Sequence, residues 1–576
     1  LPADETRNAD ACAVLVPRAC PRVGVPLRSR ARMRACAGAG VAAKSMAALG
    51  HGGVVGSEAE LGSLDFAALA ALEPGADAGV ADFVGPVTVQ DVEGKGRGLV
   101  AIREVAAGEV LFLNKAFSVA KSGSLLDATV RKLERCSDQA HAAFFLLCGE
   151  GGRTPPTLPS LTAPAGEFRT CSGARPKRSV DRKAVNDILE ANAHQLDTSD
   201  LVLTGLRPGS SVARSGLFPV GSLVNHSCRP TAIRAIFGDT MLVRAARDMR
   251  MGEEVTDSYV SVLHPSFERQ QMLQDRFGFS VADDRALLED ALMPEARVRP
   301  LLERLDSAER TEDFKKVWAE AEELTWQAVR RLGGDASPSS SSSSMASAPA
   351  PSAAACEAAM RLAPGVEPLL RGSLVAASVV LAASLAAEGR HGEAARAYSK
   401  CCEAMEEAAP HNAYHVGWAL EALREAKRGR LELAPFLRYA RKVFCGHYGP
   451  GVLEALLAKD GEVTSADVAA APGAELAPPG SLPVRVVRRA EEGEVVVEVE
   501  VGDVPADQLS MEVCRLAVLV HAGAARVAVV LPCPVAAEGA APVALVRRGG
   551  RRVLRAVLRE IVSELAARGF PHGCLG

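Results

Sequence analysis

The chain has 576 residues, room for roughly three or four domains at about 150 residues each. Its 66 basic and 70 acidic residues leave a net charge of −4, so non-specific capture of nucleic acid is excluded as a main task. The 14 cysteines are scattered with no C-x-x-C pair, which argues against a disulfide framework and a grouped zinc cluster and suits a reducing compartment.

Residues 1–80 read as a poorly ordered leader. Residues 11–50 carry Arg18, Arg22, Arg28, Arg30, Arg32, Arg34 and Lys44 and no acid, the composition of an organelle transit peptide; a low-complexity leader is the alternative. Residues 82–118 alternate apolar and polar in two runs, PVTVQDV and LVAIREV, joined by Glu93-Gly94-Lys95-Gly96-Arg97-Gly98. This predicts a hairpin with a glycine-rich connection, where glycine permits positive φ and close approach of a ligand to the backbone. No helix follows, so the loop is not a dinucleotide fingerprint. Residues 124–148 have helical spacing, 149–180 read as a mobile inserted loop, and 181–197 are helical again with Asp181 as the N-cap.

Residues 216–259 predict short strands around a polar tetrapeptide, Asn225-His226-Ser227-Cys228, then a Gly-Glu-Glu turn and a strand ending at Tyr259. His264–Phe277 predicts a helix stopped by Gly278, and residues 311–332 an amphipathic helix, within a helical extension over 283–335. The Ser/Pro/Ala tract at 336–356 reads as a flexible linker. Residues 357–455 give about four helices at short spacing, resembling tetratricopeptide hairpins, with a plain helical bundle as the alternative. Within them Ser373–Ala387 is short and alanine-rich, and reads as a buried core helix; no membrane association is expected. From residue 480 the pattern alternates strongly and predicts a small antiparallel β-sandwich to residue 576. The fold class is therefore mixed α+β and multidomain.

Four short motifs stand in order: G-K-G-R-G-L-V-A, A-G-E-V-L, G-S-L-V-N-H-S-C-R-P and M-G-E-E-V-T-D-S-Y. Together they resemble the two halves of a SET domain, the fold of protein-lysine methyltransferases, over residues 82–282 with an insert at about 120–215. The wide split, the N-H-S-C-x-P form and the helical region that follows most resemble the SET-and-MYND subfamily. The MYND zinc module is missing from the insert. The post-SET run Arg276-Phe277-Gly278-Phe279 keeps an aromatic without the usual cysteines, so no zinc is expected, because structural zinc needs four grouped thiolate or imidazole ligands.

The resemblance implies S-adenosylmethionine as cofactor and a lysine on a histone or non-histone protein as substrate. It implies that Lys95, Gly96 and Arg97 form the cofactor loop, that Asn192, Asn225 and His226 bind the cofactor, that Phe279 stacks on its adenine, and that Tyr259 is the catalytic residue. Cys228 could pass for a nucleophile, but no base is placed for it, and it reads as a small core residue. Thr231 and Asp257 depart from the family pattern, which commonly has Asn and an apolar residue there. That keeps open a catalytically degenerate SET domain acting as an adaptor. The C-terminal segment resembles the CS-like domain of PIH-type co-chaperones, which implies chaperone machinery as a partner. Cytoplasmic or nuclear location is expected, or chloroplast or mitochondrion if residues 1–45 are a transit peptide.

Overall fold

The computed structural model describes residues 61–121, 123–147, 178–196, 206, 214–332, 351–461, 463–471, 478–523, 525–536, 543–548 and 551–561. The segment read as a possible transit peptide, the inserted loop at 149–177 and most of the Ser/Pro/Ala tract lie outside them. The chain divides into two units: Leu1–Ser258, Pro410–Gly417 and Ala440–Ala474 form one, and Tyr259–Ala409, Trp418–Tyr439 and Glu475–Gly576 the other.

In the first unit, residues 65–80 depart from the expected unstructured leader. They hold α1 (Phe66–Ala70), whose N-cap Asp65 accepts from Ala68 N, and Phe66 is buried. The strands are β1 (Phe83–Val84), β2 (Val87–Val92), β3 (Gly96–Ala101), β4 (Val110–Lys115) and β5 (Ser118–Lys121). The β2–β3 hairpin turns at Glu93-Gly94-Lys95, and Gly94 and Gly96 take φ values of +72° and +74°, open to glycine at little cost. The insert forms α2 (Leu125–Leu133) and α3 (Asp138–Phe144), not one helix over 124–148. Ser137 starts the second by accepting from Ala140 N. Then follows α4 (Arg182–Asn192), capped as expected by Asp181, which accepts from Lys183 N and Ala184 N.

The helix expected to run to residue 197 ends at Asn192. Residues Ala193–Leu196 instead form β6, pairing antiparallel with β7 (Arg214–Leu217). A cluster with Phe117, Leu133, Phe144, Val185, Ile188 and Leu217 closes the insert as a small core of its own.

The chain continues through a 3-10 turn (Gly221–Leu223) to β8 (Asn225–His226), β9 (Ala232–Phe237), β10 (Thr240–Ala245) and β11 (Glu254–Asp257). Three sheets result, in the orders β1-β4-β10-β9, β2-β3-β11-β8 and β5-β7-β6. Their shared core includes Leu99, Leu111, Phe112, Phe218, Met241 and Val255. Nearly every residue of β3, β4 and β10 is buried, as expected for strands covered on both faces.

The second unit begins with α5 (Ser266–Phe277), ended by Gly278 in the left-handed conformation, φ +73°. Next come α6 (Asp284–Leu292), α7 (Glu295–Ser307) and α8 (Thr311–Leu332), the last with the bounds its amphipathic pattern predicts. Then follow α9 (Ala353–Leu362), α10 (Val366–Gly372), α11 (Val375–Ala387) and α12 (His391–Ala408). The division between units runs through α13 (Ala413–Arg428) and α14 (Leu433–His447); α15 (Val452–Asp460) and α16 (Ser465–Ala470) return to the first unit.

The Ser/Pro/Ala tract does not separate domains. Arg361 on α9 pairs with Asp284 on α6 at 2.7 Å. Thr311 on α8 shares a 2.6 Å hydrogen bond with Ser384 on α11. Helices before and after the tract thus pack in one unit. No single helix among the described residues is long and apolar enough to cross a membrane.

The C-terminal strands form two antiparallel sheets. One has the order β12 (Val484–Arg489), β13 (Glu494–Glu500), β18 (Arg551–Arg559), β17 (Ala544–Arg548); the other has β14 (Leu509–Val513), β15 (Ala517–Ala522), β16 (Ala525–Val530). Val495, Val497 and Val499 of one and Val518, Val520 and Val529 of the other meet in one apolar core. This is a β-sandwich whose inner positions alternate as the sequence predicts. It is anchored to α8: the Trp326 ring lies 5.1 Å from His521 edge-on, and the Arg526 guanidinium lies 5.0 Å over Trp326. Arg526 also donates to Glu323, and Arg330 to Glu512, both at 2.9 Å.

Candidate functional site

The polar tetrapeptide is not a loop on the surface. Asn225 and His226 form β8, which runs parallel to β11, with Asn225 opposite Thr256 and His226 opposite Asp257. On its other side β11 pairs antiparallel with β3, Glu254 opposite Val100. This three-strand arrangement brings the N-H-S-C segment beside the hairpin loop that carries Lys95, Gly96 and Arg97, although 128 residues separate Arg97 from Asn225.

The side chains then converge. Asn225 Nδ2 donates to the Arg97 carbonyl at 3.1 Å and to Glu254 Oε1 at 2.9 Å. Lys95 Nζ donates to Glu254 Oε2 at 2.6 Å and to the His226 carbonyl at 3.4 Å. Lys95 is partly exposed, so the ion pair adds only about 0–1 kcal/mol of stability. Its use is geometric.

Room for this cluster comes from Gly98. A Cβ there would sit 2.8 Å from Asn225 Nδ2 and 3.1 Å from Glu254 Oε1. Arg97 is buried along β3, while Gly96 is exposed and has open space where a Cβ would be.

The two departures from the family pattern have structural explanations. Thr231 is buried, and its Oγ1 donates to the Glu254 carbonyl and accepts from Thr256 N, both at 2.8 Å. Thr231 N donates to Thr256 Oγ1 at 3.1 Å. The threonine thus ties the chain after the tetrapeptide to both polar groups of β11. Asp257 forms an ion pair with Arg234 on β9 and accepts from Ser258 N at 2.7 Å. Its charge is satisfied where an apolar residue would be commoner.

His226 is buried, with its Nε2 3.8 Å from Cys228 Sγ, and Cys228 is buried as well. Asn192, the last residue of α4, is buried and donates to the Ile188 carbonyl at 2.7 Å, while its own carbonyl accepts from Ser222 Oγ at 3.4 Å. Two residues on, His194 is missed by the sequence reading. Its ring lies 6.0 Å from Phe218, its Nε2 is buried with no hydrogen bond among the described residues, and burial with the nearby Arg234 charge pushes its pKa down to about 3.

In the second unit, Tyr259, Phe277 and Phe279 form an aromatic cluster. The Tyr259 ring is 5.1 Å from Phe277 and 6.4 Å from Phe279, and the two phenylalanines are 6.1 Å apart. The segment after Tyr259 is pinned from below. Arg285 Nη2 donates to the Val262 carbonyl at 2.8 Å, and Arg269 donates to the His264 carbonyl. Both arginines pair with Glu289, at 2.9 Å and 2.6 Å, with all three side chains almost fully buried.

The family profile described as "SET domain" matches residues 96–260, from the first strand of this arrangement to just past Tyr259. The chain carries a SET domain. The human protein named "Histone-lysine N-methyltransferase SMYD3" is 35% identical over 105 residues, 18% of this chain and 24% of that protein. Human "N-lysine methyltransferase SMYD2" is 33% identical over 87 residues, 15% of this chain and 20% of its own length. Xenopus laevis "N-lysine methyltransferase SMYD2-B" is 41% identical over 66 residues, 12% and 15% respectively. The chain spans about a quarter or less of the length of these curated relatives.

Of the residues expected in the SET site, Lys95, Gly96, Arg97, Asn225 and His226 come together around β3, β8 and β11. Asn192 lies at the α4–β6 junction, and Tyr259 and Phe279 share the aromatic cluster. The residue that sequence reasoning missed at the centre is Glu254. Its signal was the Gly-Glu-Glu turn itself, since the second carboxylate falls on the strand rather than in the turn.

Proposed function

We propose that this chain is an S-adenosylmethionine-dependent protein-lysine N-methyltransferase. The observation that carries the reading is the parallel pairing of Asn225-His226 with Thr256-Asp257, which sets the tetrapeptide beside the glycine-rich hairpin loop. The names of the SET relatives support the same reaction class.

The residues present fit the cofactor. Gly96 has open space where a Cβ would be, Lys95 offers a cation, and Asn225 and the His226 backbone offer hydrogen-bonding groups beside it. Lys95, Gly96, Arg97, Asn225 and His226 would hold the cofactor, with Asn192 completing the set in this unit. The bound cofactor supplies an electrophilic methyl group on a sulfonium.

The protein's own work is alignment and desolvation, since an in-line displacement gains much of its rate from holding the reactants in place. The attacking lysine must be neutral, and a partly dry channel disfavours its ammonium form. The Tyr259 hydroxyl orients the amine. The Phe277 and Phe279 rings stand 5.1 Å and 6.4 Å from the Tyr259 ring and help fix its position. The substrate is a protein, histone or non-histone. The helical region and the β-sandwich select it, the sandwich serving as the docking surface for assembly or chaperone machinery.

The test is a pair of variants in the full-length chain. Tyr259→Phe should abolish methyl transfer to a protein mixture while calorimetric binding of S-adenosylmethionine stays within about twofold, because one hydroxyl that acts on the amine is removed. Asn225→Ala should instead weaken cofactor binding about tenfold or more, the loss of one well-placed hydrogen-bonding group in a desolvated site. Retained turnover in Tyr259→Phe removes that residue from the site. A well-folded wild-type chain that binds neither cofactor nor demethylated product overturns the enzymatic reading.

A further inference from the structure

We propose that Glu254 is a positioning residue for the cofactor site, acting through Asn225 by fixing which end of its amide faces the ligand. The inference deepens the methyltransferase reading and rests on it. An asparagine amide has one donor end, with two hydrogens, and one acceptor end. Here both hydrogens are spent on the protein: one on the Arg97 carbonyl at 3.1 Å, the other on Glu254 Oε1 at 2.9 Å. Both partners are acceptors only, the first a backbone carbonyl and the second an ionised carboxylate. A flipped amide would set Oδ1 against two acceptors and forfeit both bonds. Nδ2 is therefore locked inward, and Oδ1 is left as the group presented outward, with no hydrogen bond to any described residue.

The second carboxylate oxygen extends the same control. Glu254 Oε2 holds Lys95 Nζ at 2.6 Å, and the His226 carbonyl takes a second hydrogen at 3.4 Å. An ammonium has three hydrogens, so one remains for a ligand. A single carboxylate thus arranges an acceptor (Asn225 Oδ1) and a cationic donor (Lys95 Nζ) side by side. That pair complements a zwitterionic α-amino acid headgroup, whose ammonium donates and whose carboxylate accepts. The negative charge of Glu254 also offsets Lys95, so a ligand with a net positive charge is not repelled.

The placement is built into the strands. Glu254 lies on β11 opposite Val100, and its backbone carbonyl is held by Thr231 Oγ1 at 2.8 Å. On the facing strand, the missing Cβ of Gly98 leaves the space that Asn225 Nδ2 and Glu254 Oε1 occupy. Without Glu254, the amide keeps one inward bond and gains the freedom to turn.

The experiment is a double-mutant cycle by calorimetry with S-adenosylhomocysteine, which is not turned over, on the full-length chain. The proteins are wild type, Glu254→Gln, Glu254→Ala, Asn225→Ala and Glu254→Ala/Asn225→Ala. Glu254→Ala should weaken binding about tenfold, and the double variant should bind no more weakly than Asn225→Ala alone, because coupled residues do not add. Glu254→Gln keeps an acceptor for the amide and should lie between wild type and Glu254→Ala; it also carries the cycle if the alanine variant does not fold. Wild-type-like binding by folded Glu254→Ala overturns the proposal. So do losses that multiply in the double variant, since these would mean Glu254 acts independently of Asn225. A wild-type chain that binds nothing is a different outcome: it overturns the cofactor reading itself, and the Glu254 assignment falls with it.

Discussion

Thr231→Val tests whether the threonine that departs from the family motif is a structural tie. The substitution keeps the shape of the side chain and exchanges its hydroxyl for a methyl. Thr256 N–H and the Glu254 carbonyl each lose a 2.8 Å partner in a buried strand. Leaving a buried polar group unsatisfied costs about 1–3 kcal/mol, so two of them, less a modest gain from the added methyl, should cost about 2–4 kcal/mol. For a unit of this size that corresponds to a fall in melting temperature of about 5–15 °C. Thermal unfolding of the full-length chain reads the total, and hydrogen exchange of a peptide covering residues 250–258 reads it locally. Thr231→Asn, which carries both a donor and an acceptor, should recover most of the loss. A shift in Thr231→Val below about 1 kcal/mol, with unchanged exchange at Thr256, would refute the reasoning.

The buried Arg269–Glu289–Arg285 group gives a second expectation. Glu289→Gln leaves two buried guanidiniums without their countercharge and should destabilise the second unit by about 3–5 kcal/mol in denaturant unfolding; a loss under about 1 kcal/mol would show that the group is not electrostatically essential. Burial pushes the Glu289 carboxyl upward, but the two arginines outweigh it and hold it below the ordinary carboxylate value. Its contribution is therefore complete above the unfolded value of about 4.3 and is lost as pH falls through the lowered native one. His194 acts in a higher window. Its native pKa of about 3 against 6.5 unfolded means that the unfolded chain binds a proton the native chain refuses. Stability of the first unit should be full above pH 6.5 and should fall on acidification, by about 2 kcal/mol at pH 5. His194→Gln should flatten that slope, and an unchanged slope would assign the pH dependence elsewhere.

Much of this fold was legible because its signals are local. The amphipathic run Thr311–Leu332 buries Phe314, Val317, Leu324 and Val329 on one face, and nothing downstream competes for those residues. Asp181 marks a helix start through its capping side chain, and Gly278 marks a helix end through its left-handed backbone. The errors arose where pairing decides. Ala193–Leu196 has no strong intrinsic preference; it becomes a strand because Arg214–Leu217, far along the chain, offers a ladder.

The site divides the same way. Lys95, Gly96, Arg97, Asn225 and His226 stand in short motifs that survive being read one at a time. The importance of Glu254 depends on register. It faces Asn225 only because β11 runs parallel to β8 and antiparallel to β3, and a shift of one residue would turn its side chain to the opposite face. A Ser/Pro/Ala tract reports that a segment contributes little to a core, and not whether the segments on either side share one.

The pairing of Arg361 with Asp284 and of Thr311 with Ser384 across that tract has a practical consequence. The helices on either side of the tract are held by noncovalent packing, α9 against α6 and α8 against α11. The chain has, in effect, a ready-made seam. A protease site placed in the tract would yield two polypeptides that remain associated through an interface already present in the intact molecule. Expressed as separate fragments, the same two pieces would have to find each other in a bimolecular step, at a rate set by their concentration.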